Sequence, residues 1–230
     1  MANRYGPRIV TDTLLVHVDP ASKKCYPGSG TSLTDLSGNG HGIGLSSGPT
    51  FSTANGGCFD HGANTGANVS INGNVVFRSA KSWEIWFNPD TIPANSTGDS
   101  IFQQSNNWNG TTGISMQMIY GNLTWSWGST WGGTCSISLS NLTAGSWHHA
   151  VGTTDGTTGT DKGKLYLNGV LRDTGTSAAI PNTYNPNVKI GDGNGGNIDG
   201  KTSCFSVYSK ELSADEVVQN FEAKKGRFGL

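Results

Sequence analysis

Four glutamates, Glu84, Glu211, Glu216 and Glu222, are the first place to look for acid–base chemistry. Glycoside hydrolysis takes two carboxylates, about 5–5.5 Å apart for retention and about 6.5–9.5 Å for inversion. Glu84 stands alone in an apolar run and the other three gather near the C-terminus, so no strand presents a pair. The chain is read as lacking a Gly-x-Ser-x-Gly nucleophile elbow, and no cysteine lies in an activating context. His148 and His149 are neighbours in an extended segment, so their side chains leave on opposite faces and cannot form one ligand pair. One ring is expected to be packed and the other solvated or hydrogen-bonded. Cys25, Cys58, Cys135 and Cys204 contain no Cys-x-x-Cys pair, which argues against a zinc cage and for buried free thiols.

Binding chemistry is better represented. Trp108, Trp125, Trp127 and Trp131 fall within 24 residues, in a stretch dense in Asn, Ser, Thr and Gly. Indole rings stack on the C–H faces of sugars while amides and hydroxyls bond sugar hydroxyls, so these four are candidate glycan-binding residues. Trp125 and Trp127 share one face of a strand, and core packing accounts for that pair equally well. Asp35 and Asn39, in the loop Asp35-Leu36-Ser37-Gly38-Asn39-Gly40, could add side-chain oxygens to loop carbonyls around a structural calcium ion, which takes six to eight oxygen ligands. The competing reading is that Asp35 and Asn39 cap turns through their side chains.

These residues need a β-framework to position them, and the composition supplies one. Gly, Ser, Thr and Asn account for 104 of 230 residues, while only 13% are charged. That mixture makes turns and strands and excludes an all-helical or doubly wound α/β protein. The net charge of −1 argues against an extended nucleic-acid surface. No apolar run approaches the roughly 18 residues of a membrane span, and no secretory signal is legible at the N-terminus.

The spacing predicts about ten short strands, among them 13–18, 82–87, 114–120, 123–127, 135–139, 146–153 and 204–208. Trp83, Ile85 and Phe87 share one face of 82–87, with Glu84 and Trp86 on the other. Lys164–Leu167, Asn168-Gly169 and Val170–Arg172 read as a hairpin with a type I′ turn. Lys24–Gly48 reads as one long loop. A single helix follows Ser213, with Glu216 completing a capping box, Leu212 and Val217 as a staple, and Gly226 as its stop. This is an all-β chain: an antiparallel two-sheet β-sandwich with one short C-terminal helix, residues 13–230 forming the domain and residues 1–12 an N-terminal arm.

Four segments carry a resemblance. They are Leu14–Asp19 with Tyr26–Thr31; Asp35–Gly42; Trp147–Val151 with Leu165–Gly169; and Tyr208–Val217 running on to Gly229. The chain resembles the concanavalin A-like, laminin-G-like (LamG) jelly-roll domains found in tailed-bacteriophage virion proteins and in secreted bacterial proteins. The resemblance places Asp199 on a strand near the Asp35 loop, which implies that it could join Asp35 and Asn39 as a calcium ligand. Residues 88–140 depart from that pattern, and the hydrolase signature of the superfamily, Glu-x-Asp-x-x-Glu on one strand, is absent.

The resemblance implies a non-enzymatic virion structural protein, a capsid decoration or a tail or fibre component, with a lectin-like domain that binds host-surface or environmental glycans. Its partners would be other virion proteins, with Arg4, Tyr5 and Arg8 of the arm as anchoring residues and a trimer as a fitting oligomer. The protein would be assembled in the host cytoplasm and exposed on the particle. The alternative is a free-standing bacterial extracellular carbohydrate-binding module.

Overall fold

The computed structural model describes residues 7–63, 65–72, 80–94, 98–105, 112–129, 133–177, 187–193 and 196–230. The strands are β1 (Leu14–Val18), β2 (Ser32–Thr34), β3 (Gly42–Ser46), β4 (Thr50–Ser52), β5 (Cys58–Asp60), β6 (Asn68–Asn72), β7 (Ser82–Pro89) and β8 (Asp99–Ser105). There follow β9 (Thr112–Ile119), β10 (Asn122–Ser129), β11 (Gly133–Ser138), β12 (His148–Thr154), β13 (Gly159–Leu167), β14 (Val170–Ser177), β15 (Asn187–Ile190), β16 (Gly200–Tyr208) and the helix α1 (Ala214–Phe228). Among the described residues they form two eight-stranded antiparallel sheets. Sheet A runs β14-β13-β12-β7-β16-β5-β4, with β1 also paired to β16; sheet B runs β11-β10-β9-β8-β15-β6-β3-β2. The expected antiparallel sandwich with one C-terminal helix is therefore the observed fold, with more strands than the apolar pattern reveals.

Several local expectations hold for their stated reasons. Trp83, Ile85 and Phe87 enter the core between the sheets, while Trp86 packs on the outer side with Trp147 and Phe228. Asn168 and Gly169 both take left-handed angles, φ 51° and 78°, as a type I′ hairpin requires. The Ser213 side chain accepts the Glu216 N–H at 3.3 Å, and Glu216 returns the bond to the Ser213 N–H at 3.0 Å.

Two boundaries differ. Lys24–Gly48 is not one loop, because Ser32–Thr34 and Gly42–Ser46 pair with each other and Gly42–Ser46 pairs with β6. The helix does not stop at Gly226 but runs to Phe228 and ends on Gly229 at φ 78°. Phe228 explains the extra turn: its ring stacks on Trp86 at 4.2 Å and packs on Trp147 at 4.6 Å.

The helix lies on the outer face of sheet A. Arg227, in its last turn, donates to Asp19 at 2.7 Å, to Ser203 at 2.8 Å and to the carbonyls of Asn55 and Gly57. Residues 7–12, expected as part of a free arm, lie against the same helix. The Val10 N–H donates to Asn220 Oδ1 at 2.7 Å, the Val10 side chain is buried, and Gln219 donates to the Arg8 carbonyl.

Candidate recognition face

Register across sheet B sets polar side chains in rows on its outer face. One row reads Thr134, Ser126, Ser115, Gln103, Lys189, Ser70, Gly44, Ser32 from one edge of the sheet to the other. The next reads Ser136, Thr124, Gln117, Ser100. Neighbours within the rows bond one another: Ser115 to Ser126 at 3.5 Å, Thr124 to Ser136 at 3.4 Å, and Gln117 Nε2 to Ser100 Oγ at 3.2 Å. The centre is closed, since a Cβ on Gly193 would meet Ser100 and Gln103 directly.

The face opens at the β9–β11 end. A depression of about 280 Å³ is lined there by Ile119, Tyr120, Asn122, Thr124, Thr134 and Ser136. Tyr120 stands at its lip, 70% exposed. This mixture of one aromatic ring, hydroxyls and an amide can hold a polyhydroxylated ligand by stacking and neutral hydrogen bonds.

A second depression of about 320 Å³ is lined by Ser47, Gly48, Thr50, Asp60, His61, Gly62, Thr65 and Ala67. His61 is committed to structure: Nδ1 bonds the Ala67 carbonyl at 2.9 Å and Nε2 the Thr202 hydroxyl at 2.7 Å. Burial pushes its pKa down to about 4. Asp60 is the single carboxylate of that lining, within 3.8 Å of Lys201.

The glutamates are engaged elsewhere. Glu84 is buried beneath α1, where His149 Nε2 lies 3.1 Å away, Asn220 Nδ2 donates at 2.6 Å and the Tyr208 hydroxyl at 3.3 Å. Burial alone would raise its pKa, but His149 and Asn220 outweigh that and hold it below the usual carboxylate range. Glu211 pairs with Lys164, Glu216 with Lys210 and the capping box, and Glu222 with Lys225. His148 and His149 do face opposite ways and both are buried, His149 packed against Trp86 and Phe221 and His148 the hydrogen-bonded one. The covering helix accounts for His149, and His148 Nε2 accepts the Thr143 N–H at 3.1 Å.

The sequence candidates fare unevenly. Trp125 and Trp127 are corrected to core residues: both are fully buried, with Trp125 5.1 Å from Trp83 and 5.7 Å from Trp127, so neither ring can meet a sugar. Trp108 and Trp131 lie outside the described residues, as do Arg4 and Tyr5; Arg8 is exposed beside α1.

The calcium set is not brought together. Asp35 accepts the N–H groups of His17, Ser37 and His41 and the Ser37 hydroxyl, while Asn39 donates its amide to the carbonyls of Leu14 and Leu15. These two cap turns. Asp199 precedes β16, whereas the Asp35 loop binds beside Ser206, seven residues along that strand and on the order of 20 Å away. Asp199 bonds Thr91 instead, at 3.0 Å.

Two features escaped the sequence reading. Tyr120 read as the end of a strand, although an aromatic directly before Gly-Asn between two strands marks a turn with a displayed ring. Gly44-Leu45-Ser46-Ser47-Gly48 has the letters of a nucleophile elbow, but it leads from β3 into a turn toward β4 and not into a helix, so Ser46 is no nucleophile.

Comparison with solved structures finds the same fold in botulinum neurotoxin binding domains. The serotype D binding domain has a TM-score of 0.69 at 16% identity over 94% of this chain and 53% of its own. The DC binding domain in complex with rat synaptotagmin II has 0.70 at 17% over 92% and 52%, and its complex with SialylT has 0.67 at 18% over 92% and 51%. The chain thus spans about half the length of these neighbours, and the likeness concerns the fold. Comparison with curated proteins gives no match. The family model for the concanavalin A-like lectin/glucanases superfamily matches residues 61–218. With more than half of its length matched, the chain belongs to the concanavalin A-like lectin/glucanase superfamily.

Proposed function

We propose that this chain is a non-enzymatic recognition protein of a tailed-phage virion, a capsid decoration or tail or fibre component whose lectin-like domain binds surface glycans. The observation that carries the recognition half is the open end of the sheet B face, where Tyr120, Asn122 and the hydroxyls of Thr124, Thr134 and Ser136 surround one depression. Carboxylate chemistry has no comparable support, since Glu84 is buried under α1 and Glu211, Glu216 and Glu222 are each tied to a lysine. Structural neighbours are described as binding domains, one of them in complex with synaptotagmin II, which fits a recognition role. The virion half rests on the resemblance of the four sequence segments to phage-encoded domains.

Two measurements test the reading. Mass spectrometry of purified particles is expected to find the chain among the virion proteins, and its absence would end the virion half. Glycan-array binding by the isolated chain tests the other half. Glycan binding together with absence from any particle would turn the reading to the free-standing bacterial module.

A further inference from the structure

The turn joining β9 to β10 consists of Tyr120 and Gly121, both left-handed at φ 51° and 76°. The same two-residue turn joins β13 to β14, and there the residues are Asn168 and Gly169 at φ 51° and 78°. Asparagine suits the first position because its short polar side chain tolerates left-handed angles, whereas a bulky aromatic is strained there. Tyr120 does not recover that cost by burial, because at 70% it is the most exposed of the large apolar residues among those described. A strained residue that stabilises neither turn nor core points to a role outside the fold.

The ring borders the sheet B depression, with Ile119 as a second apolar wall. Its polar floor is neutral: Asn122, Thr124, Thr134 and Ser136, with no lysine, arginine or histidine among the residues that line it. The charge found at its edge is negative, since Asp173 Oδ2 accepts the Ser136 N–H at 2.7 Å. An anionic sugar entering here would meet a carboxylate at the edge and no cation among the residues of the lining. A volume of about 280 Å³ suits one sugar ring, at the small end of ligand pockets.

We propose that this depression is a subsite for a single uncharged pyranose at the end of a glycan, its C–H face stacked on Tyr120 and its hydroxyls bonded by Asn122, Thr124, Thr134 and Ser136. The assignment rests on the glycan-recognition reading above and adds the location and the charge class of the sugar.

Tyr120→Asn is the informative variant, because it removes the ring while improving the turn. The full chain and this variant are applied to an array of neutral oligosaccharides and their sialylated counterparts, and their melting temperatures are compared. The expected result is binding to neutral glycans that falls at least tenfold in Tyr120→Asn, with a melting temperature equal to or above that of the parent. Undiminished neutral binding in the variant overturns the site but leaves the recognition reading standing. Binding confined to sialylated glycans overturns the charge class. A lowered melting temperature would make the ring a structural element and overturn the display argument. Absence of binding to any glycan overturns both the site and the reading beneath it.

Discussion

The Trp127 ring occupies the space that any side chain on Gly163 would need. Gly163 lies on sheet A and Trp127 on sheet B, and a Cβ built on the glycine would overlap the six-membered part of the indole. Gly152 stands in the same relation to Trp125. Two glycines of one sheet thus make the recesses that seat two indoles of the other, and this decides which face of β10 is the inner one. Gly163→Ala is expected to destabilise the fold by about 3 kcal/mol, the upper range for overpacking, because the obstacle is a ring wedged in a core. Gly42→Ala is the control: nothing lies within 4 Å of that Cβ, and its denaturation midpoint should stay within about 0.5 kcal/mol of the parent.

Gly226 should behave in the opposite way. It sits inside α1 with open space around its Cβ, and the helix continues past it because Phe228 is anchored on Trp86. Gly226→Ala removes freedom from the unfolded chain without a clash, so a gain of about 0.5–1 kcal/mol is expected in chemical denaturation. A loss would mean that the last turn of the helix is not formed in solution.

The four thiols are all free and buried. Burial raises each of them, Cys25 to about 11 and Cys135 to about 12, with Cys58 and Cys204 also above the usual thiol range. A thiol protonated at neutral pH and shielded from solvent is a poor nucleophile. At pH 8 the native protein is expected to react with a thiol reagent at least a hundredfold more slowly than the denatured chain, which should show four equivalents. Fast labelling of one equivalent in the native state would contradict the closed packing around Cys204 beneath α1.

How far these features were legible follows from what local pattern can encode. The two faces of β7 could be read because aromatic and aliphatic residues alternate with period two, and the β13–β14 turn because Asn-Gly has a backbone reason to be there. The start of α1 was legible through Ser213 and Glu216, but its end was set by a ring contact between Phe228 and Trp86, which are 142 positions apart. β2 and β3 were hidden because Ser-Leu-Thr and Gly-Ile-Gly-Leu-Ser look like loop, and only the pairing of β3 with Asn68–Asn72 and of β2 with β3 makes them strands. At the site, alternation put Trp125 and Trp127 on one face without saying which was inner; the answer lay in Gly152 and Gly163 on the opposite sheet. Tyr120 went unread for a related reason, since its strain exists only once the turn is formed.

Stability should fall as the solution is acidified below about pH 6.5, and two buried histidines give the reason. His17 bonds Ser206 Oγ through Nδ1 at 3.0 Å, and burial, helped by nearby Lys224, pushes its pKa to about 4. His61 is pushed to about 4 by burial as well. Above pH 6.5 both rings are neutral whether folded or unfolded, so neither contributes. Between pH 6.5 and 4 the unfolded chain takes up protons that the folded chain refuses, and the unfolded state gains. From pH 7.5 to 4.5 this amounts to about 2.5 kcal/mol for each histidine. Asp99 acts in the opposite sense, because burial and neighbouring Asp199 raise its pKa to about 6, so its folded form gains protons first and offsets part of the loss. Below about pH 4.5, Glu84 adds to the destabilisation, since its folded pKa is held down. Guanidinium titrations at pH 7.5 and 4.5 check this: a drop of a few kcal/mol is expected in the parent, a smaller drop in His61→Gln, and a larger one in Asp99→Asn. Equal drops in the parent and His61→Gln would show that His61 is already accessible to protons in the native state, against the packing of its ring between Ala67, Thr202 and Gly191.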